Sequence, residues 1–167
     1  MPTVPDSPQA AAFRRQVLSP TKLKLFMLRK LPMAWLAGLR LTALTPEAAT
    51  VTIRFKYLTQ NPFRSIYFAC LAMAAELASG IQAMMHVQAG GPVSMLVTSI
   101  QGDFTKKAVG LIRFTCPDGP QIAQAVPRAA LPARAVPWCV PAPAWTTSAT
   151  WWPCSALPGP LGPGSST

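Results

Sequence analysis

Glu76 is the residue of this chain best suited to acid–base work, because it is the one carboxylate inside a largely apolar run, residues 66–87. Burial penalises a charged carboxylate and moves its pKa up towards neutrality, where a general base or attacking group is most useful. The competing reading is structural: a helix carboxylate paired with a neighbouring cation, or facing its own equivalent across a dimer. His86 lies about three helical turns further on, too far along a helix to form a local dyad with Glu76. It is the single histidine, and Cys70, Cys116, Cys139 and Cys154 show neither Cys-x-x-Cys nor metal-ligand spacing. A zinc site or a Ser-His-Asp triad is therefore not supported, and no metal is expected. Cys70, Met73, Met84 and Met85 read as core filling.

Charge is sparse but one-sided, with 15 Lys and Arg against 5 acids. Such a balance suits an anionic partner: a phosphate-bearing cofactor, nucleic acid or a membrane surface. Lys22, Lys24, Arg29 and Lys30 equally describe the solvated face of a helix. A length of 167 residues, half of them hydrophobic, allows one domain with a real core.

The elements that must position Glu76 follow from pattern. Ser19-Pro20 opens a helix that stops near Pro32, with Leu23, Phe26 and Met27 at helical spacing. Residues 39–44 and 49–58 read as strands around a Thr45-Pro46-Glu47 turn. Val51, Ile53, Phe55 and Tyr57 alternate there with Thr52, Arg54 and Lys56, giving one buried and one wet face. The loop 61–65 leads into the long apolar helix, which Gly90-Gly91-Pro92 ends. Residues 93–104 and 108–116 read as a strand pair turned around Lys106-Lys107. Asp118-Gly119-Pro120 reads as a turn, and 121–126 as the start of a second short helix. The class is α+β, one central helix against an antiparallel sheet.

The apolar run is long enough to span a bilayer. A central carboxylate is costly in lipid, and a helix wrapped by a sheet has the same all-round apolar sequence, so a buried helix is favoured. Residues 1–18 are polar and Pro-rich, without an apolar region behind a basic start, and are expected to be disordered rather than a secretory signal. Arg14-Arg15 is followed by a segment too broken by Lys22, Lys24, Arg29, Lys30 and Pro32 for a twin-arginine export signal. A cytoplasmic location is expected.

NPFRSIYFACLAMAAELASGIQAM, from Asn61, and VSMLVTSIQGDFTKKAVGLIRFTC, from Val93, resemble a hotdog-fold family of unassigned function related to phenylacetyl-CoA-type thioesterases. The resemblance covers about residues 19–126 and implies a hotdog domain there. It also implies an acyl thioester as partner, with coenzyme A entering only as part of the substrate, and a homo-oligomer whose sites lie at dimer interfaces. No nucleic-acid or membrane partner is expected. In those relatives an Asn precedes a His-Gly-Gly turn and a helix carries the catalytic acid. Asn61 and Glu76 have similar spacing, while Tyr67-Phe68-Ala69 stands where His-Gly-Gly would be.

On that resemblance Glu76 activates water or attacks directly, Asn61 orients the reacting group, and the Tyr67 phenol donates where the relatives use His. Backbone N–H groups around Tyr67, Phe68 and Ala69 would polarise the carbonyl with help from the helix dipole. Lys106, Lys107 and Arg113 would meet coenzyme A phosphates. Each has a plainer reading: Asn before Pro is a turn former, the N–H groups are ordinary helix capping, Tyr67 is a half-buried surface phenol, and the lysines belong to a solvated turn. Acyl binding without turnover, or a purely structural module, is the alternative function.

Past Val126 the character changes. Trp138, Trp145, Trp151 and Trp152 are interleaved with Pro, Ala and Ser, so residues 127–167 are expected to be an irregular tail, with the sheet short of its last strands. Reading each codon's third base with the next two turns Trp145-Thr146 into Asp, Trp151-Trp152 into Val and Trp152-Pro153 into Ala. Thr150-Trp151 and Pro153-Cys154 then encode only Val, Leu or Met. A frame lost near Val126 would explain the change of character, with a strand hidden in the shifted frame.

Overall fold

The computed structural model describes residues 7–90, 93, 95–102, 104, 106–129, 138–139 and 147–153. Its first element corrects an expectation. Residues 1–18 are not disordered throughout, because α1 spans Pro8–Val17, with the Ser7 hydroxyl accepting from Ala10 N at 3.1 Å. Ala10, Phe13 and Val17 recur at helical spacing and join a core cluster with Ile81 and Met85. The polar composition hid this stripe. α2 (Pro20–Lys30) and α3 (Pro32–Ala37) follow, and Gly38 closes α3 in the left-handed region that a Cβ would disfavour.

β1 (Arg40–Leu44) and β2 (Ala49–Arg54) form an antiparallel pair with a register irregularity between Leu41 and Ala43. The Thr45 hydroxyl accepts from the N–H groups of Glu47 and Ala48, which holds the turn. Ala49, Val51 and Ile53 are fully buried, as alternation requires. The expected strand ends four residues early. A 3-10 turn at Tyr57–Thr59 replaces it, held by Thr59 Oγ1 to the Arg54 and Lys56 carbonyls, so Tyr57 is 82% exposed rather than on the buried face.

α4 (Phe68–Gly90) is the central helix. Among the described residues it alone is long and apolar enough to cross a membrane. Its buried residues, Leu71, Ala74, Leu77, Ala78, Ile81, Ala83 and Met85, belong to the two core clusters instead. β3 (Met95–Gly102) and β4 (Leu111–Cys116) then fall on different sheets, which corrects the expected hairpin. β4 pairs antiparallel with β2 from Ala49↔Cys116 to Arg54↔Leu111. The chain between them is used otherwise: the Ala108 carbonyl accepts from Ile66 N, so it packs on the entry to α4 rather than closing a tight turn. Asp118 starts a helix rather than a turn, since its carbonyl accepts from Ile122 N, and α5 (Gly119–Ala129) buries Ile122 and Val126.

Two further strands lie where irregular chain was expected. β5 (Trp138–Cys139) and β6 (Thr147–Pro153) build a sheet of order β3-β6-β5, with β6 antiparallel to β3 from Met95↔Pro153 to Gly102↔Thr147. Proline argued against a strand, yet 147–152 is a proline-free run rich in Thr and Trp, both strand formers. The other sheet has order β1-β2-β4, and α4 lies against strands of both. This long helix held by antiparallel sheet is a hotdog fold.

Candidate functional site

Glu76 opens onto a cavity of about 780 Å³ between α1, α2, α4 and β3. From α4 the wall takes Glu76, Leu77, Gly80, Ile81, Met84 and Gln88, one face of the helix. Phe13 and Val17 close it from α1, Leu23 and Phe26 from α2, and Met95 from β3. Lys22 and Lys30 also line it. Glu76 is half-buried, and burial raises its pKa above the usual 4.5 with no counter-charge opposing the shift. Among the described residues no cation forms an ion pair with it. The environment is the one a carboxyl base needs, an apolar wall that destabilises the anion. The volume falls within the range of small-molecule sites.

The other candidates sit elsewhere. Tyr67 immediately precedes α4, so Glu76 lies about 13 Å along the axis and about half a turn round from it. Phe68 and Ala69 N–H have no backbone acceptor among the described residues. Tyr67 N–H donates to the Thr59 carbonyl at 2.7 Å. Ala69 shares the face of Glu76 but stands about 10 Å from it along the helix. The Tyr67 ring meets Phe68 edge-on at 4.9 Å, and Phe68 meets Phe104 at 6.2 Å; all three are exposed.

Asn61 is occupied by its own loop. Its Oδ1 accepts from Phe63 N at 3.0 Å and Ser65 N at 3.2 Å, while Nδ2 donates to Ser65 Oγ at 3.0 Å. That bonding is a turn former's, and it leaves Asn61 little capacity to hold a substrate. Lys107 donates to the Phe63 carbonyl at 3.2 Å, which ties it to the same loop; Lys106 is exposed beside it. Thus Asn61, Tyr67, Phe68, Ala69 and Lys107 gather at the start of α4, and Glu76 stands apart.

A polar cluster was missed in the sequence. Gln82, fully buried, donates to the Thr45 and Pro46 carbonyls at 3.1 and 2.9 Å, and His86 Nε2 bonds the Pro46 carbonyl at 3.1 Å. Burial lowers the His86 pKa, with the Pro46 hydrogen bond and Glu47 opposing. The i, i+4 spacing of Gln82 and His86 was the available signal. These residues clamp the β1–β2 turn to α4. Burial pushes the Cys116 thiol up to about 11 and also raises Cys70, which disfavours the thiolate at both positions.

A family model described as a domain of unknown function, DUF4442, matches residues 20–135. No curated protein matches the chain. Among solved structures, a structural-genomics protein superposes with TM-score 0.63 at 19% identity, covering 90% of this chain and 100% of its own. A Pseudomonas aeruginosa protein of unknown function, designated a probable thioesterase, superposes with TM-score 0.59 at 19% identity, covering 80% of this chain and 95% of its own. A Chlorobaculum tepidum protein of unknown function reaches TM-score 0.59 at 17% identity, covering 81% and 94%. At these identities the likeness concerns the fold.

Proposed function

This chain belongs to the DUF4442 family, and we propose that it binds an acyl thioester, with the acyl chain in the cavity beside Glu76, and hydrolyses it. The observation that carries the reading is a lone half-buried carboxyl, its pKa raised, on the wall of an apolar cavity of about 780 Å³. In the reaction Glu76 takes a proton from water as the water oxygen attacks the thioester carbonyl. The C–S bond then breaks, and the proton passes to the departing thiolate, giving acid and thiol. Coenzyme A would enter as the substrate's leaving group, its phosphates near Lys106 and Lys107, and no separate cofactor is required.

The N–H groups of Phe68 and Ala69 stand too far from Glu76 to hold the same carbonyl within one chain. A homo-oligomer that brings one chain's α4 start to its partner's Glu76 would supply them. That distance also favours a second reading, acyl binding without turnover, in which the Phe68 and Ala69 side chains stand where the relatives' two glycines would admit substrate. A cytoplasmic location belongs to the same proposal.

The test is a panel of acyl-CoA substrates given to the protein and to Glu76→Gln. Turnover that falls by about 100-fold or more with acyl affinity kept supports the base. Hydrolysis unchanged by the substitution removes Glu76 from the mechanism, and chain binding without hydrolysis by either protein supports the second reading.

A further inference from the structure

α2 presents two different faces. Leu23 and Met27 are buried, and Phe26, Lys22 and Lys30 turn to the cavity. At about 100° per residue, Leu25 and Leu28 lie on the opposite side from Leu23 and Met27. They are 56% and 48% exposed, with Lys24 flanking them on one side and Arg29 on the other. α3, next in the chain, adds exposed apolar side chains of its own, Met33 at 63%, Trp35 at 44% and Leu36 at 42%. From Ser19 to Leu44 the chain has Lys22, Lys24, Arg29, Lys30 and Arg40 and no acid.

We infer that the outer face of α2 and α3 docks on an anionic lipid bilayer. Exposed Leu, Met and Trp side chains on two successive helices, with Lys and Arg flanking the leucines, are the composition that sits in the headgroup boundary, the cations reaching phosphates while their stems cover apolar surface. Charge complementarity selects the occupant. Two copies of this face would bring acid-free cationic surfaces together, which disfavours a second chain. An ordinary solvated helix pair would not carry five large apolar side chains, Leu25, Leu28, Met33, Trp35 and Leu36, at this exposure. The expectation of no membrane partner came from the fold resemblance and the rejected span of α4; it does not bear on a helix lying in the interface.

The site has a further consequence for the cavity. Lys22, Leu23, Phe26 and Lys30 form its wall from the inner side of the same helix, so α2 stands between bilayer and cavity. This part rests on the cavity reading above, whereas the docking itself does not.

Co-sedimentation of the full chain with vesicles tests it. Binding to mixed phosphatidylcholine–phosphatidylglycerol vesicles, weakened by salt and absent with phosphatidylcholine alone, is expected. Lys24→Glu with Arg29→Glu should weaken it at least about 20-fold, and Leu25→Ser with Leu28→Ser about tenfold or more. None of the four lines the cavity, so both variants should keep acyl binding and the wild-type melting temperature. The wild-type salt titration needs no variant, and loss of a blue shift in Trp35→Phe reports insertion directly. No binding to anionic vesicles, equal binding to neutral ones, or binding indifferent to both double variants overturns the inference. Failure to bind vesicles while the Leu pair disrupts a homo-oligomer would assign the face to a second copy instead.

Discussion

A carboxyl on an apolar wall costs stability wherever it is ionised. For Glu76 the folded pKa lies above 4.5, so between the two values the folded protein holds the proton more tightly than the unfolded chain. Stability from this group is therefore complete below about 4.5 and declines as pH rises through the folded pKa. Glu76→Gln should melt higher than the wild type at neutral pH, with the difference vanishing in acid; thermal melts across that range would show it. A variant that melts lower at every pH would mean the carboxylate has a partner. His86 has the opposite sign. Its folded pKa is depressed from 6.5, chiefly by burial, so its contribution is present above 6.5 and lost as pH falls through the folded value. His86→Gln should flatten that acid limb, and an unchanged limb would place the titration elsewhere. Glu76 was legible because one acid in an apolar run is conspicuous. The Gln82–His86 clamp was not, because its acceptors are backbone carbonyls of a turn far away in sequence.

At the scale of elements, α2, β1, β2 and α4 were readable because each carries its own period or cap. The division of β3 and β4 between sheets was not, because alternation fixes a strand's faces and leaves its partner open. α1 was hidden for a different reason: a short helix with Arg14, Arg15 and Gln16 has a disordered segment's composition, and only Ala10, Phe13 and Val17 reveal a packed stripe. Its position makes it part of the site rather than an appendage, since Gln9, Ala12, Phe13, Gln16 and Val17 line the cavity. Deleting residues 1–18 should open the cavity to water, weaken acyl binding more for long chains than short ones, and lower the melting temperature. Phe13→Ala isolates one contact and should cost about 3 kcal/mol or less, given that Phe13 is only partly buried. A fluorescent fatty acyl probe titrated into both proteins gives the readout; equal affinity in truncated and full chains would exclude α1 from the chain site.

The whole molecule turns on its last strands. Sheet order β1-β2-β4 and sheet order β3-β6-β5 would join into one sheet if β4 paired with β5, yet β5 is only Trp138–Cys139 and no pairing between them occurs among the described residues. β4 pairs with β2 along its whole length, and among the described residues its other edge has no strand partner, an exposed edge of the kind proteins usually cover or blunt. The family match ends at residue 135, inside the stretch where composition changes. We propose that the reading frame is shifted beyond about Val126. The shifted frame turns Pro137-Trp138-Cys139 into a Val, Leu or Met followed by Val, the residue types a central strand beside β4 needs. It also makes the region of β6 more apolar, so both frames put a strand there. A single inserted or deleted base in the codons for residues 121–134 is the expected cause, and the nucleotide sequence decides it. The corrected protein should melt at least about 5 °C higher than this one, since closing the gap in the sheet adds backbone pairing and buried area. It should also protect the amides of β4's outer edge from exchange. No open shifted frame in the DNA, or a corrected chain that melts no higher, would leave residues 127–167 as a native extension that contributes β5 and β6 in the frame as read.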